Sequence, residues 1–523
     1  MKTLQRIEAF FQNHGFAVQS LGDLHSEPVF DLHLDSRGVN AGDAFIAIQG
    51  GQKHGLAFLS QVLDKKPGLV LSDRPLNEEE RSIWEQSGCE SVFFWSSDLK
   101  AILPLLADWF YDAPSRHLKV VGITGTNGKT STAFYTAQLL EHLGNRVALI
   151  GTLGNGYWKN LSPTLNTTPD VISVQRLLAD FLRQGYEWVV MEVSSHALSL
   201  GRVDGVHFQT VALTQITRDH LDFHGSVEAY RNAKKSLFTE FASNVQIVNL
   251  QDETGRELCD SMALSDLYSY RLEEGGHSGS SKELLCNHLR LHPEGLQLSL
   301  SFSEKHADLS VSLLGRFNAE NLLCALSILL ANGFSWHELL NGAHKLKAVD
   351  GRMQTLCRQP IVVLDFAHTA DALRSVLQAI RDHLSASESQ LWVLFGCGGN
   401  RDRGKRPLMA QIAEQLANKV VVTSDNPRDE DPEAIIGEIC QGFSQSEMVT
   451  VIQDRRQAIE WTLQQAADHD LVLLAGKGHE TYQEIAGIKY PFSDAQIAGE
   501  FCRVGLTENR QSAEDTIELV LKG

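Results

Sequence analysis

The densest chemistry in the chain sits in ten consecutive residues, Gly122-Ile123-Thr124-Gly125-Thr126-Asn127-Gly128-Lys129-Thr130-Ser131. Glycines let a backbone turn sharply and bring its N–H groups against phosphate oxygens. A helix starting at the turn adds partial positive charge, and a lysine there reaches the outer phosphates. The Thr130 hydroxyl suits magnesium. Gly125, Thr126, Asn127, Gly128, Lys129, Thr130 and Ser131 are therefore the expected nucleotide contacts. The spacing departs from G-x-x-x-x-G-K-[ST], because Ile123 stands where the first glycine of that pattern would fall. A glycine-rich turn with no ligand would need neither the lysine nor the hydroxyl that follows it. Three later segments also carry charge in a pattern: 396–407 with Arg401, Asp425-Asn426-Pro427-Arg428, and Gly476-Lys477-Gly478-His479-Glu480. Guanidinium forks grip carboxylates, and a carboxylate such as Glu480 can hold an ammonium. The Arg401, Arg428 and Glu480 set thus suits a zwitterion with a further charged end.

Each segment follows a short apolar run. The run 118–123 precedes the phosphate loop, 188–191 precedes Glu192, 420–423 precedes Asp425 and 471–474 precedes Gly476. Such runs alternate with longer amphipathic segments, which predicts an α/β protein with mostly parallel sheets. Ligands in those sheets bind at the carboxyl ends of strands, where all of these residues fall. Polar breaks at 111–116 and 346–352 divide the chain into three expected domains, 1–113, 114–349 and 350–523. Each is expected to be built on a mostly parallel sheet, the central one of P-loop type and the C-terminal one Rossmann-like. Residues 273–281 read as a surface loop.

Composition excludes several classes. The 523 residues are 43% hydrophobic and 21% charged, ordinary for a globular chain. A net charge of −19 repels nucleic acid and anionic lipid, so an anionic substrate must be held by local positive groups. No apolar run approaches the ~20 residues of a membrane span. The start, Met1-Lys2-Thr3-Leu4-Gln5-Arg6-Ile7-Glu8, lacks the pattern of a secretion signal. The 8 cysteines lie far apart with no C-x-x-C pair, which suits a reducing cytoplasm and argues against a disulfide framework or a structural zinc site. A cytoplasmic enzyme acting on small molecules is the expectation, with no nucleic-acid partner and no membrane span.

Thr124-Gly125-Thr126-Asn127-Gly128-Lys129-Thr130 resembles the ATP loop of the Mur ligase family, the ATP-dependent amino acid ligases of peptidoglycan synthesis. Folylpolyglutamate synthases share that loop. The resemblance extends to Glu192-Val193-Ser194-Ser195-His196, to Thr217-Arg218-Asp219-His220-Leu221-Asp222-Phe223-His224-Gly225 and to Tyr230-Arg231-Asn232-Ala233-Lys234-Lys235. It implies that Glu192 and Thr130 hold a first magnesium, that His220 holds a second, and that Lys234 is the family's carbamate lysine, an adduct with CO2. An ammonium beside two Mg²⁺ ions would be repelled, whereas a carbamate is an anion that can bind or orient a metal. Lys235 is the rival position and reads as a solvated neighbour. The implied catalytic set is Lys129, Lys234, His220 and Glu192.

In the N-terminal piece, Leu34-Asp35-Ser36-Arg37-Gly38-Val39 and the segment Gly51-Gln52-Lys53 resemble the family's uridine-nucleotide domain. Leu34, Ser36, Gly51, Gln52 and Lys53 are the implied UDP contacts, and Asn166, Thr167, Thr168, Ser194 and Arg202 the implied acceptor-peptide contacts. Leu200 stands where a common family pattern has glutamine. Asn321, Arg352 and Asp365 resemble further ATP contacts, while Phe366 and Ala370 replace a usual Tyr and Pro as packing changes. The Asp-Asn-Pro-Arg motif resembles the members that add meso-diaminopimelate to UDP-N-acetylmuramoyl-L-alanyl-D-glutamate. Arg401, Asp425, Asn426, Pro427, Arg428, Gly476 and Glu480 match their amino acid site. The resemblance implies an acyl phosphate formed from ATP, closure of the C-terminal domain once substrates are in place, a monomer, and a role in cell-wall synthesis and so in cell shape and division. A lysine-adding ligase, a folylpolyglutamate synthase and a nucleotide-binding homologue without catalysis remain alternatives.

Overall fold

The computed structural model describes residues 2–22, 28–51, 53–261, 267–272, 282–384 and 389–502. The loop expected at 273–281 and the UDP candidate Gln52 lie outside the described residues. The chain divides into two compact units, Met1–Tyr268 and Ser269–Gly523.

In the first unit a five-stranded sheet runs in the order Gln19–Leu21, Val92–Trp95, Leu69–Ser72, Ala44–Ala47, Leu32–His33. The first pairing is antiparallel and the other three are parallel. Ala44–Ala47 and Leu69–Ser72 are buried along their whole length, because helices cover both faces and leave no side for polar alternation. Leu4, Ile7, Phe11, Ile102 and Leu106 pack on one face, and Val62, Leu63 and Trp84 on the other. Burying each such side chain stabilises by about 1.5–3 kcal/mol. The helix Glu78–Gln86 starts from a capping box of Asn77 and Glu80. Arg74 grips both oxygens of Glu80, at 2.8 and 2.7 Å.

A second sheet in this unit has the order Asn160–Ser162, Gly154–Tyr157, Val147–Gly151, Trp188–Glu192, Lys119–Thr124, Phe208–Leu213, Ser243–Asn249. The two hairpin pairings are antiparallel and the rest are parallel. Its register pairs Glu192 with Ile123, and Thr124 with Leu213. The carboxyl ends of three neighbouring strands therefore reach one rim. The first polar break in the sequence is a real bend: Asp112 and Ala113 both take left-handed backbone, with φ of 63° and 51°.

The second unit contains a meander of Glu283–His292, Gly295–Phe302 and Lys305–Val311. These strands are antiparallel, a departure from the sequence expectation. The alternation of Leu296, Leu298 and Leu300 with polar residues is the pattern of a strand with one face buried. A six-stranded sheet follows, in the order Gln354–Arg358, Ile361–Asp365, Leu471–Ala475, Leu391–Phe395, Lys419–Val422, Val449–Val451. All pairings but the first are parallel. Register pairs Asp365 with Ala475 and Phe395 with Val422, which brings the segments after those strands to one rim. The helix Ala370–Arg381 buries Leu373, Val376, Leu377 and Ile380 on the sheet and is capped by Thr369, whose hydroxyl accepts from Ala372 N.

One disulfide joins Cys357 to Cys502. The sequence reading expected no disulfide framework, and this single pair corrects it for two of the 8 cysteines. A separation of 145 residues leaves no trace in local spacing. Among the described residues no helix is long and apolar enough to cross a membrane.

Candidate active site

The phosphate loop joins the strand Lys119–Thr124 to the helix Lys129–His142. Gly128 starts the helix in left-handed backbone (φ 85°), and Gly125 bends at φ 147°. A Cβ on Gly125 would lie 1.8 Å from Thr214 Oγ1 and 3.0 Å from Gln215 O. Thr126 N donates to Gln215 O, and Thr214 Oγ1 donates to Asn127 O, both at 2.6 Å. Loop curvature is thus set by the residues after the strand Phe208–Leu213. Lys129 Nζ donates to Gly125 O at 2.8 Å and to Thr126 O at 2.9 Å, which keeps the ammonium within the turn.

Glu192 ends its strand nearly buried, 2% exposed. Its Oε2 accepts from Thr130 Oγ1 at 2.9 Å and from Thr152 Oγ1 at 3.1 Å, while its Oε1 accepts from Thr152 N at 2.9 Å. Gly151 leaves room for this carboxylate, since a Cβ there would meet Glu192 Oε1 at 2.3 Å. A buried carboxylate beside two hydroxyls is an all-oxygen donor set, the chemistry magnesium prefers, so Thr130 and Glu192 fit the implied ion. Among the described residues no group of three or more His, Cys, Asp or Glu forms a metal site by itself.

Lys234, on the helix Val227–Thr239, is 2% exposed and donates from Nζ to Gly125 O at 2.8 Å. Burial, followed by the positive charge of Lys129, pushes its ammonium well below the usual lysine range, against the pull of Asp219. An amine so placed favours its neutral, nucleophilic form. Its rival Lys235 pairs with Glu257 instead. Tyr230, one turn earlier, shares a 2.9 Å hydrogen bond with Thr126 Oγ1 and lies under Lys234, with Nζ 4.8 Å from its ring centre. Burial raises its phenol to about 12. The exposed His220 has left-handed backbone (φ 49°), with its ring 4.7 Å from that of His196 and 6.3 Å from that of Tyr230. His224 completes the group, its Nε2 3.0 Å from Ser195 Oγ. Burial lowers the pKa of both His196 and His224, with the charge of His220 adding to it.

Of the acceptor candidates, Thr167, Thr168, Ser194 and Arg202 form a hydrogen-bonded group beside Glu192 and Thr152. Thr168 Oγ1 donates to Glu192 O at 2.8 Å and accepts from Ser194 N at 3.1 Å. Arg202 donates to Thr168 O at 3.0 Å, and the Thr167 hydroxyl lies 3.1 Å from that of Thr152. Asn166 is exposed, and its carbonyl accepts from Thr164 Oγ1. Leu200 is 54% exposed, so the glutamine it replaces would have stood at the surface. Leu34 and Ser36 follow one strand of the five-stranded sheet, and Gly51 and Lys53 follow its parallel neighbour. Lys65 Nζ ties down the carbonyls of Ser36 and Arg37, each at 2.9 Å. Arg176, on the helix that follows Thr168, donates to Leu32 O at 2.6 Å and so links the acceptor segment to the UDP candidates.

In the second unit Asn321 lies on the helix Arg316–Ala331, with Nδ2 3.3 Å from Asn318 Oδ1. Arg352 has its guanidinium 5.5 Å from the Phe366 ring centre and a buried Nε with no hydrogen-bond partner among the described residues. Asp365 accepts from Met353 N and Ala367 N, both at 2.8 Å, and burial raises its pKa. Its carboxylate thereby shapes the segment that carries Arg352. The three amino acid motifs meet on one rim. Asn426 Nδ2 donates to Glu480 Oε2 at 2.9 Å, and a Cβ on Gly476 would stand 3.0 Å from Asp425 Oδ2. Arg428 (φ 52°) donates from Nη1 to Gly399 O at 2.8 Å and has Nε 3.3 Å from Glu484 Oε2. Pro427 is buried, and its carbonyl lies where only glycine at 399 leaves room, 1.9 Å from an added Cβ. Arg401 is exposed; beside it Asn400 N donates to Glu430 Oε1 at 2.5 Å, and the fully buried Arg406 anchors Glu430.

Residues 123–329 match the Mur ligase middle domain and residues 351–478 match the Mur ligase, glutamate ligase domain. The chain belongs to the Mur ligase family. It is 42% identical over 496 residues to the UDP-N-acetylmuramoyl-L-alanyl-D-glutamate–2,6-diaminopimelate ligase of Haemophilus influenzae strain PittGG, covering 93% of this chain and 99% of that protein. To the ligase of the same name from Pseudomonas aeruginosa strain PAO1 it is 43% identical over 470 residues, or 90% and 94% of the two chains. A solved structure of a ligase with that name superposes with a TM-score of 0.71 at 34% identity, covering 95% of this chain and 99% of the other.

Proposed function

We propose that this chain is an ATP-dependent, ADP-forming ligase. It adds meso-2,6-diaminopimelate to the D-glutamyl γ-carboxylate of UDP-N-acetylmuramoyl-L-alanyl-D-glutamate, in the synthesis of peptidoglycan precursors. The observation that carries the reading is the meeting of Asp425, Asn426, Arg428, Gly476 and Glu480 at one rim, in a family member resembling ligases of that name along nearly its whole length.

The γ-carboxylate of the acceptor attacks the γ-phosphorus of ATP, the bond to the ADP oxygen breaks, and an acyl phosphate forms. Lys129 turns from Gly125 O and Thr126 O toward the phosphates, and the loop N–H groups take up the β-phosphate oxygens. Thr130 and Glu192 would hold one magnesium, and His220 and the Lys234 carbamate would serve a second; bound there, the ions would supply charge neutralisation for the phosphoryl group. The carbamate forms when the neutral Lys234 amine adds to CO2 and loses a proton. Thr167, Thr168, Ser194 and Arg202 orient the acceptor peptide, and Leu34, Ser36, Gly51, Gln52 and Lys53 the UDP end. Arg401 and Arg428 grip carboxylates of diaminopimelate, while Asp425 and Glu480 hold an ammonium. The other amine attacks the acyl carbon, and phosphate leaves as the amide forms and a proton is released. The same reading assigns UDP binding to 1–113, ATP binding to 114–349 and amino acid binding to 350–523. It makes the protein a cytoplasmic monomer that serves cell shape and division.

The test holds the UDP-dipeptide fixed and compares ADP release with meso-diaminopimelate, L-lysine and no amino acid. Turnover several-fold faster with meso-diaminopimelate is expected. Faster turnover with lysine rejects the substrate, and no turnover in the presence of bicarbonate and magnesium rejects the enzyme.

A further inference from the structure

Between the residues proposed to hold the amino acid lies a cation that none of them accounts for. Lys477 follows Gly476 at the end of the strand Leu471–Ala475 and is 0% exposed. Its Nζ donates to Asn426 Oδ1 and to Glu480 Oε2, each at 3.0 Å, and stands 3.7 Å from Asp425 Oδ1. Because Asn426 Nδ2 also donates to Glu480 Oε2, the three residues close a triangle of hydrogen bonds. That triangle leaves Asn426 a single amide orientation, with its oxygen toward Lys477 and Glu484 N.

We infer that Lys477 is a positioning residue for the amino acid. It fixes Asn426 and Glu480 in place and cancels one of the two negative charges that Asp425 and Glu480 bring to the pocket. The inference rests on the proposed amino acid site and adds to it the residue that sets its charge. Asp425, Glu480 and Lys477 together carry a net charge of −1, which complements a single ammonium. Without the cation the carboxylates repel each other, and the Asn426 amide is free to turn. A methylene chain at 477 would also leave buried polar groups unpaired, a costly arrangement. Lys477 does not touch the substrate in this account, since its ammonium is buried and its two hydrogen bonds go to Asn426 and Glu480. Its effect on binding is exerted through Asn426 and Glu480.

The test measures KM for the amino acid, ATP and the UDP-dipeptide, together with kcat and the unfolding midpoint, in the parent, Lys477→Met, Lys477→Gln and Lys477→Arg. Lys477→Met and Lys477→Gln are expected to raise KM for the amino acid at least about tenfold, with the other two KM values within about twofold. Lys477→Arg, which keeps the charge, is expected to recover a large part of the loss. An amino acid KM within about twofold of the parent in a folded neutral variant overturns the inference. So does a parallel shift of all three KM values with no recovery in the arginine variant, or failure of both neutral variants to fold, since either assigns Lys477 to the fold alone. The amino acid used is whichever the parent turns over fastest. Failure of the meso-diaminopimelate assignment shows in the parent and leaves the Lys477 comparison standing.

Discussion

Replacing Gly125 with alanine tests the geometry on which nucleotide binding rests. At φ 147° the residue occupies backbone that L-amino acids avoid, at a cost of about 1–2 kcal/mol. The added Cβ would stand 1.8 Å from Thr214 Oγ1, so Thr214 must rotate away. Its single hydroxyl proton, shared between Asn127 O (2.6 Å) and Thr124 O (3.2 Å), is then lost to both. That hydrogen bond is worth about 1 kcal/mol. The sum, about 2–3 kcal/mol, must be borne by whichever conformation the loop adopts around phosphate, which is equivalent to a weakening of about 30- to 140-fold at about 1.4 kcal/mol per tenfold. Calorimetric titration with ADP and magnesium reads the affinity directly, and a thermal scan separates loop damage from global unfolding. Gly144→Ala is the control: Gly144 also has positive φ, 81°, but among the described residues nothing lies within 4 Å of its added Cβ. That variant should lose about 1 kcal/mol of stability and keep its nucleotide affinity. If Gly125→Ala binds ADP within about threefold of the parent, the loop is not shaped by Thr214 and the reasoning fails.

Lys234→Ala is expected to abolish nearly all turnover, with partial recovery in added acetate, whose carboxylate can take the place of the carbamate; normal turnover without acetate rejects the carbamate. The Arg74 guanidinium holds the Glu80 carboxyl below the usual carboxylate range. The ionised form therefore adds stability above the unfolded value of about 4.5, and that contribution fades as pH falls through the lowered folded value. Glu80→Gln should thus lower the unfolding midpoint at neutral pH by the equivalent of about 1 kcal/mol, a difference that narrows in acid; an equal difference at both pH values would show that charge is not involved.

Much of the site's frame is legible in the residues because buried parallel strands read as unbroken β-branched runs. The expected strands before the phosphate loop, Glu192, Asp425 and Gly476 all form, within a residue or two, as Lys119–Thr124, Trp188–Glu192, Lys419–Val422 and Leu471–Ala475. What the chain order hides is partnership across strands. Thr152 bonds Glu192 from 40 residues away, and Thr214 bonds Asn127 from 87. Each is an ordinary hydroxyl whose only signal is its place one residue beyond a strand end. Tyr230 and His224 sit among motif residues yet carry no spacing of their own. Lys477 lies inside a quoted motif, but its burial, which makes it matter, cannot be read from a Gly-Lys-Gly triplet. Asp365 resembles a nucleotide contact, and its bonds to the backbone of Met353 and Ala367 are a further role that the motif does not reveal. The meander at 283–311 escapes because it departs from the strand–helix rhythm around it.

The clasp of Thr214 and Gln215 on the phosphate turn means that the seven residues from Thr124 to Thr130 are not a portable cassette. Grafted onto another scaffold, they would lack the neighbouring strand that bends them, and the glycine at 125 would relax into the many shapes open to it. During folding, likewise, the anion cradle cannot mature until the strand Phe208–Leu213 has docked beside Lys119–Thr124. A nascent chain shorter than that strand would carry the whole motif and have no grip on ATP.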